Sequence, residues 1–281
     1  MKRLAVGLAA AFVAGVAAVL MGLLVLLVGF ADVDLVPSGS SVRQEGKKAY
    51  RAAVAPDVNE RRGIRRADRY PHDCSKEKCV ALTFDDGPVK GTGRVLDALA
   101  RAKAKATFFV LGSMAAEEPG MLRRAAAEGH EIGNHTWDHA DLSRLPAARI
   151  RREIRRTGDL VTRLTGVTPR LLRPPYGASN RRVVRAARSF GLPQIMWAVD
   201  PQDWRDHRPA SVTHRVLKDV QPGHIVLMHD IQPGTVKAVP RVLKTLKRRG
   251  YVFVTVSELL AGELTLPGNE YRERPETEED V

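Results

Sequence analysis

Seven short runs rich in β-branched and aromatic residues alternate with stretches of helical period, and this alternation restricts the fold more than any other feature of the chain. The runs are Cys79–Phe84, Ala106–Leu111, Glu131–Asn134, Arg170–Arg173, Gln194–Val199, His224–His229 and Tyr251–Val256. The helix-like stretches are Gly93–Ala102, Met121–Glu128, Ala147–Leu164, Asn180–Phe190, Ser211–Val220 and Val236–Arg249. Within Ala147–Leu164, Ile150, Ile154, Val161 and Leu164 fall on one helical face. Gly129, Gly166, Gly191 and Gly250 sit where a helix C-terminus favours left-handed backbone. Strands alternating with helices imply an α/β fold with a parallel sheet, open or closed into a barrel. The alternating region, roughly 190 residues, is short for eight βα units, which take about 250. In either architecture ligands bind at the C-terminal ends of the strands, so reactive residues should gather there.

The flanks read differently. Lys2 and Arg3 precede an uncharged apolar run from Leu4 to Phe30, and the next charge is Asp32. A run of about 20 apolar residues spans a bilayer. Residues 1–31 are therefore expected to form a transmembrane anchor, with a cleavable signal segment as the alternative, given the small residues near Gly29 and Ala31. The leading positive charges place the rest of the chain outside the cytoplasm, or secreted if the segment is cleaved. Residues 32–70 lack periodicity and are basic, and read as a juxtamembrane linker. Residues 71–262 hold the alternating domain; residues 263–281 end in Glu276, Glu278, Glu279 and Asp280 and read as a disordered acidic tail. Cys74 and Cys79, the two cysteines of this exported chain, read first as a disulfide, because a zinc site would want a second pair. The net charge of +13 is spread largely over helix-like stretches without a nucleic-acid motif, so no nucleic-acid partner is expected. In an exported protein such a field favours anionic envelope polymers or lipid head groups.

Chemistry-bearing residues do gather at the strand ends. The first run ends in Thr83-Phe84-Asp85-Asp86-Gly87-Pro88, where two adjacent carboxylates can take different roles. The third ends in Asn134-His135-Thr136-Trp137-Asp138-His139, and two histidines four apart can face one metal if the segment makes a helical turn. With one carboxylate they would form a 2-His-1-carboxylate site. His130-Glu131 resembles the start of a zincin motif, but position 134 is Asn and the stretch reads as a strand. The fourth, fifth and sixth runs lead into Arg173-Pro174-Pro175-Tyr176-Gly177, Asp200-Pro201-Gln202-Asp203-Trp204 and Leu227-Met228-His229-Asp230. A surface ion pair, a packed aromatic or a core histidine could explain each alone. Those readings do not explain the shared location.

These five segments resemble, in order, the motifs of the polysaccharide deacetylases, the NodB-homology domain of carbohydrate esterase family four. The resemblance covers about residues 74–262. It implies a distorted (β/α)7 barrel and a hydrolase that removes N-acetyl groups from an N-acetylglucosamine-containing envelope glycan, peptidoglycan first and chitin-type oligomers second. By the same resemblance Asp86, His135 and His139 would hold a divalent cation, Zn2+ before Co2+, Ni2+ or Mn2+. Asp85 would be the general base and Arg173 its ionic partner. The Tyr176 N–H would stabilise the oxyanion, and Leu227 and Trp204 would wall the acetyl pocket. His229 would be the general acid, its pKa raised by Asp203 or Asp200, with Asp203 preferred for its place beside Trp204. A monomer is expected. An O-acetyl esterase of the same fold and a silent wall-binding module are the rivals. The chain has no serine elbow, H-E-x-x-H or phosphate-cradling glycine loop.

Overall fold

The computed structural model describes residues 71–261 and 265–275 of the 281. The anchor expected at residues 1–31 and the linker at 32–70 lie outside the described residues, as does the acidic end from 276 on. Among the described residues no helix is long and apolar enough to cross a membrane.

The elements run β1 (Cys79–Asp85), α1 (Lys90–Ala102), β2 (Thr107–Val110), α2 (Gly112–Glu117), α3 (Pro119–Ala127), β3 (Glu131–Asn134), α4 (Ala147–Thr165), α5 (Arg181–Ser189), β4 (Gln194–Ile195), α6 (Pro209–Asp219), β5 (Ile225–His229), α7 (Pro233–Arg248), β6 (Val252–Phe253), α8 (Val256–Leu259) and β7 (Glu270–Tyr271). All named strand pairings are parallel, as the alternation requires. The main sheet has the order β3-β2-β1-β5, with β6 pairing the first two residues of β1. Parallel bridges continue from Asn134 to Leu172 and from Leu172 to Gln194 in β4, and Val199 bridges Val226 in β5.

Strand alternation explains how β1 serves two cores at once. Val80, Leu82 and Phe84 point to the helix side and pack with Val95, Leu96 and Leu99 of α1 and Val239, Val242 and Leu246 of α7. Cys79 and Ala81 point the other way, into a cluster with Phe109, Ile195, Ile225 and Val254. Each such aliphatic side chain contributes about 1.5–3 kcal/mol on full burial. By the same period Thr83 and Asp85 continue the inner row. The strand that builds the core thus carries a carboxylate to its own C-terminal end.

Helix α4 matches its expected face: Ile150, Ile154 and Val161 are buried, and Leu164 packs from the edge. It stops at Gly166, whose φ of 74° lets its N–H reach the Thr162 carbonyl.

Three expectations need correction. Arg170–Arg173 forms a bridge at Leu172 rather than a strand, because prolines at 169, 174 and 175 leave no room for a longer ladder. Residues 265–275, assigned to a disordered tail, are folded in part. Asn269 and Tyr271 accept from the amides of Gln194 and Met196, Gly268 donates to Leu192, and Arg274 donates to Gly223. These bonds satisfy the free edge of β4; the two-residue strand Glu270–Tyr271 that supplies them is too short to register in sequence. The His135–His139 segment is not a helical turn, as described below.

Candidate active site

The loops after β1 and β3 bring two carboxylates and two imidazoles together through unusual backbone. Asp86, Thr136, His139, Tyr176 and Gln202 have φ between 54° and 74°, five of the six described non-glycine residues with positive φ. Such conformations cost about 1–3 kcal/mol each and persist where surrounding structure holds them. Asp86 at φ 74° turns out of the strand alternation, so its carboxylate joins Asp85 in the site instead of facing away. Thr136 and His139 do the same for the histidine loop, so the two imidazoles meet without the helical turn that the reading from their spacing requires. Amides of Gly112 and Ser113, at the start of α2, donate to the carbonyls of Thr136 and Trp137 and fix that loop.

Asp86 Oδ1 lies 3.4 Å from Nε2 of both His135 and His139. These are the ligand-type atoms that lie mutually within 4.8 Å. His135 Nδ1 is 2.7 Å from the Arg173 carbonyl, which accepts only if Nδ1 carries the proton. Its Nε2 is then a lone pair aimed at Asp86, the arrangement in which imidazole ligates a metal. Asp86 Oδ1 is buried and has no hydrogen-bond partner. Burial pushes the Asp86 carboxyl up, but His135 and His139 outweigh it and hold it below its ordinary range. An orphaned carboxylate oxygen facing two imidazole nitrogens fits a divalent cation.

Asp85 is 2% exposed and receives 2.7 Å from Arg173 Nη1. Arg173 is fully buried and spends its other donors on Thr83 Oγ1 and the carbonyls of Ile195 and Met196, while its guanidinium lies 4.1 Å from the Phe109 ring centroid. Burial lowers its pKa and Asp85 opposes that.

At the end of β5, in register with Asp85 on the neighbouring strand, His229 Nδ1 is 2.8 Å from Asp203 Oδ1, and its backbone N–H donates to Asp203 Oδ2 at 2.8 Å. Thr235 Oγ1 also donates to Asp203, which is fully buried. Burial disfavours charge on His229, yet Asp203, with Asp85 and Asp86 beyond it, pushes its pKa up to about 9. Asp200 does not meet His229; its Oδ1 accepts from Gln202 N and closes a turn. Tyr176 is 69% exposed, with its ring 4.6 Å from that of His139. Leu227 is buried and Trp204 is 52% exposed.

Sequence reasoning missed four supporting residues. Thr83 and Thr235 anchor Arg173 and Asp203, and the strand period that selects Asp85 also selects Thr83. Glu153, 3% exposed on α4, accepts from the Trp137 amide and from Arg149. Asp230 is 1% exposed beneath Gly87, accepts from Thr92 Oγ1, and is pushed up to about 7 by burial, with Asp86 and Asp85 adding. A charged residue on a buried helix face was the available signal for Glu153.

Comparison with known proteins agrees with this geometry. Residues 72–195 match the family model described as polysaccharide deacetylase. The peptidoglycan-N-acetylglucosamine deacetylase PgdA of Listeria monocytogenes is 43% identical over 201 residues, 71% of this chain and 42% of the relative, so the chain spans about two fifths of that protein's length. A peptidoglycan-N-acetylglucosamine deacetylase of Bacillus cereus is 39% identical over 66% of this chain and 90% of its own. The structure of a family 4 acetyl xylan esterase from Clostridium thermocellum, in complex with a cobalt ion, superposes with TM-score 0.66 at 34% identity, covering 70% of this chain and 99% of that one. The parallel α/β fold, the motifs and these relatives together show that the chain belongs to the polysaccharide deacetylase family.

Proposed function

We propose that this protein is a metal-dependent N-deacetylase of an N-acetylglucosamine-containing envelope glycan, with peptidoglycan as the first candidate. The observation that carries the reading is the grouping of Asp86, His135 and His139 with two carboxylate-linked side chains at the ends of the paired strands β1 and β5: Asp85 held by Arg173, and His229 held by Asp203. The relatives named for peptidoglycan support the glycan class.

Asp86, His135 and His139 would hold the cation, Zn2+ before Co2+, Ni2+ or Mn2+. A divalent cation there supplies Lewis acidity, polarising the acetyl carbonyl and making water more acidic. Asp85, oriented by the guanidinium, takes the proton of the attacking water. The Tyr176 N–H donates to the developing oxyanion, while Leu227 and Trp204 wall the acetyl methyl. His229, with Nδ1 committed to Asp203, carries a proton on Nε2 and delivers it to the leaving amine.

Further readings complete the proposal. The parallel bridges from β3 through Leu172 and β4 to β5 support a distorted (β/α)7 barrel. Cys74 and Cys79 lie side by side, in keeping with a disulfide in an exported domain. The apolar run from Leu4 to Phe30 supports a single membrane anchor with the catalytic domain outside.

The ligand and base roles separate by mutation. Asp86→Ala and His135→Ala should lose both bound Zn2+ and acetate release, whereas Asp85→Asn should keep stoichiometric Zn2+ and lose turnover by about 10²-fold or more. Full turnover in Asp85→Asn would remove the base assignment. The likeness to an acetyl xylan esterase favours a second reading, O-deacetylation. An alkoxide leaves more readily than an amine, so His229→Ala should spare ester hydrolysis while abolishing amide hydrolysis. Equal loss on both would take away this distinction.

A further inference from the structure

The chain's positive charge is not evenly spread. Thirteen arginines, three acidic residues and no lysine lie from Asp141 to Arg188, so this sixth of the chain supplies most of the net +13. Most of these arginines project from α4 and α5, which share one apolar cluster through Ile150, Ile154, Val183 and Ala187 and so form one surface. Arg151, Arg152, Arg155 and Arg156 on α4, and Arg181 and Arg185 on α5, are exposed, and none pairs with a carboxylate among the described residues. A groove runs between the first four, lined also by Ala148 and Asp159. Like charges packed this closely repel one another, and among the described residues no ion pair with these six arginines offsets that repulsion.

This surface adjoins the candidate site. The Arg156 guanidinium lies 3.4 Å from the Trp137 ring centroid, between His135 and His139 in the chain. Arg149 on the same helix lies 3.5 Å from Asp138. An occupant of the face would therefore sit beside the loop that carries two ligand histidines.

We propose that the α4–α5 face binds a linear phosphodiester polymer of the cell envelope and holds the enzyme against it. This goes beyond deacetylation, because the binding requires no turnover. Three observations select the occupant. Arginine without lysine matches the planar, bidentate recognition of phosphate oxygens. Pairs of arginines recur after one helical turn, at 151/152 and 155/156, an extended row suited to a chain of repeated charges. Neither α4 nor α5 exposes a large hydrophobic side chain, which a face seated in a lipid interface would use.

The test uses the full chain in nonionic detergent, with immobilised poly(glycerol phosphate) as probe at about 0.15 M salt. Retention is expected, and it should weaken steeply as salt rises. The variant R151E/R152E/R181E/R185E should lose roughly tenfold or more in affinity. K218E/K237E/R241E/K244E makes the same change in net charge on α6 and α7 and should bind like the parent. Unchanged acetate release from neutral N-acetylglucosamine oligomers, or an unchanged thermal midpoint if the chain hydrolyses none, shows that the first variant is folded. Equal losses in the two variants, or no retention of the parent, would overturn the proposal. So would tighter, arginine-dependent binding to phosphatidylglycerol vesicles, which would make the face a membrane contact. Binding only by a chain ending at Pro275 would give the face to the acidic segment 276–281 instead.

Discussion

Arg173 is a buried cation, and such a group persists only when its charge is paired and its donors are satisfied. Asp85, Thr83 and two carbonyls meet those needs, and in return the guanidinium orients the proposed base. Asp203 stands in the same relation to His229, with a titration that can be followed. The raised native pKa of His229, about 9 against an ordinary 6.5, means folding favours its charged form despite burial. That stabilisation is complete below pH 6.5 and is lost as the pH rises through about 9. Asp203→Asn should therefore move the alkaline limb of kcat to lower pH and lower stability most below pH 6.5, an effect that fades as the pH rises towards 9, read by pH–rate profiles and urea unfolding. An unmoved limb would separate Asp203 from the acid. The five strand-end motifs made the residues of the candidate site legible in sequence, because each carries an ionisable group at a place where the fold puts ligands. Choosing Asp203 over Asp200 was not derivable from spacing. It depended on a turn at Gln202 that directs one carboxylate inward and leaves the other capping its own loop.

At the scale of elements, α4 does more than cover the sheet. Glu153 reaches from its buried face to the Trp137 amide, and Asn134 ties the end of β3 to the Ile154 carbonyl and the Thr136 amide. The histidine loop is thereby held by a helix that contributes no ligand. Glu153→Ala should weaken Zn2+ affinity by about 10–100-fold, with Glu153→Gln, which keeps an acceptor, recovering most of it. Equal affinity in Glu153→Ala, measured by competition with a chelator, would confine Glu153 to packing. Helix positions were legible because apolar period and terminal glycines act locally, as at Ile150, Ile154 and Gly166. The reduced strand at Leu172 and the return of the chain at β7 were not, since both depend on partners distant in sequence.

For the whole molecule, β7 completes a structure that the alternating pattern left open. A chain ending at Ala261 would lose the bonds from Gln194, Met196 and Gly268 and uncover the edge of β4. Its unfolding midpoint should fall by several degrees, corresponding to about 1–3 kcal/mol for the lost pairings. An unchanged midpoint would make this segment dispensable.

The central claim is that Asp86, His135 and His139 hold a cation that, with Asp85 and His229, removes acetyl groups from amide nitrogen. Acetate release from peptidoglycan and N-acetylglucosamine oligomers tests it directly, before chelation, after chelation and after return of Zn2+. The expected result is release that chelation abolishes and Zn2+ restores. Release indifferent to chelation, or none from either substrate by a chain that retains stoichiometric Zn2+, would contradict it.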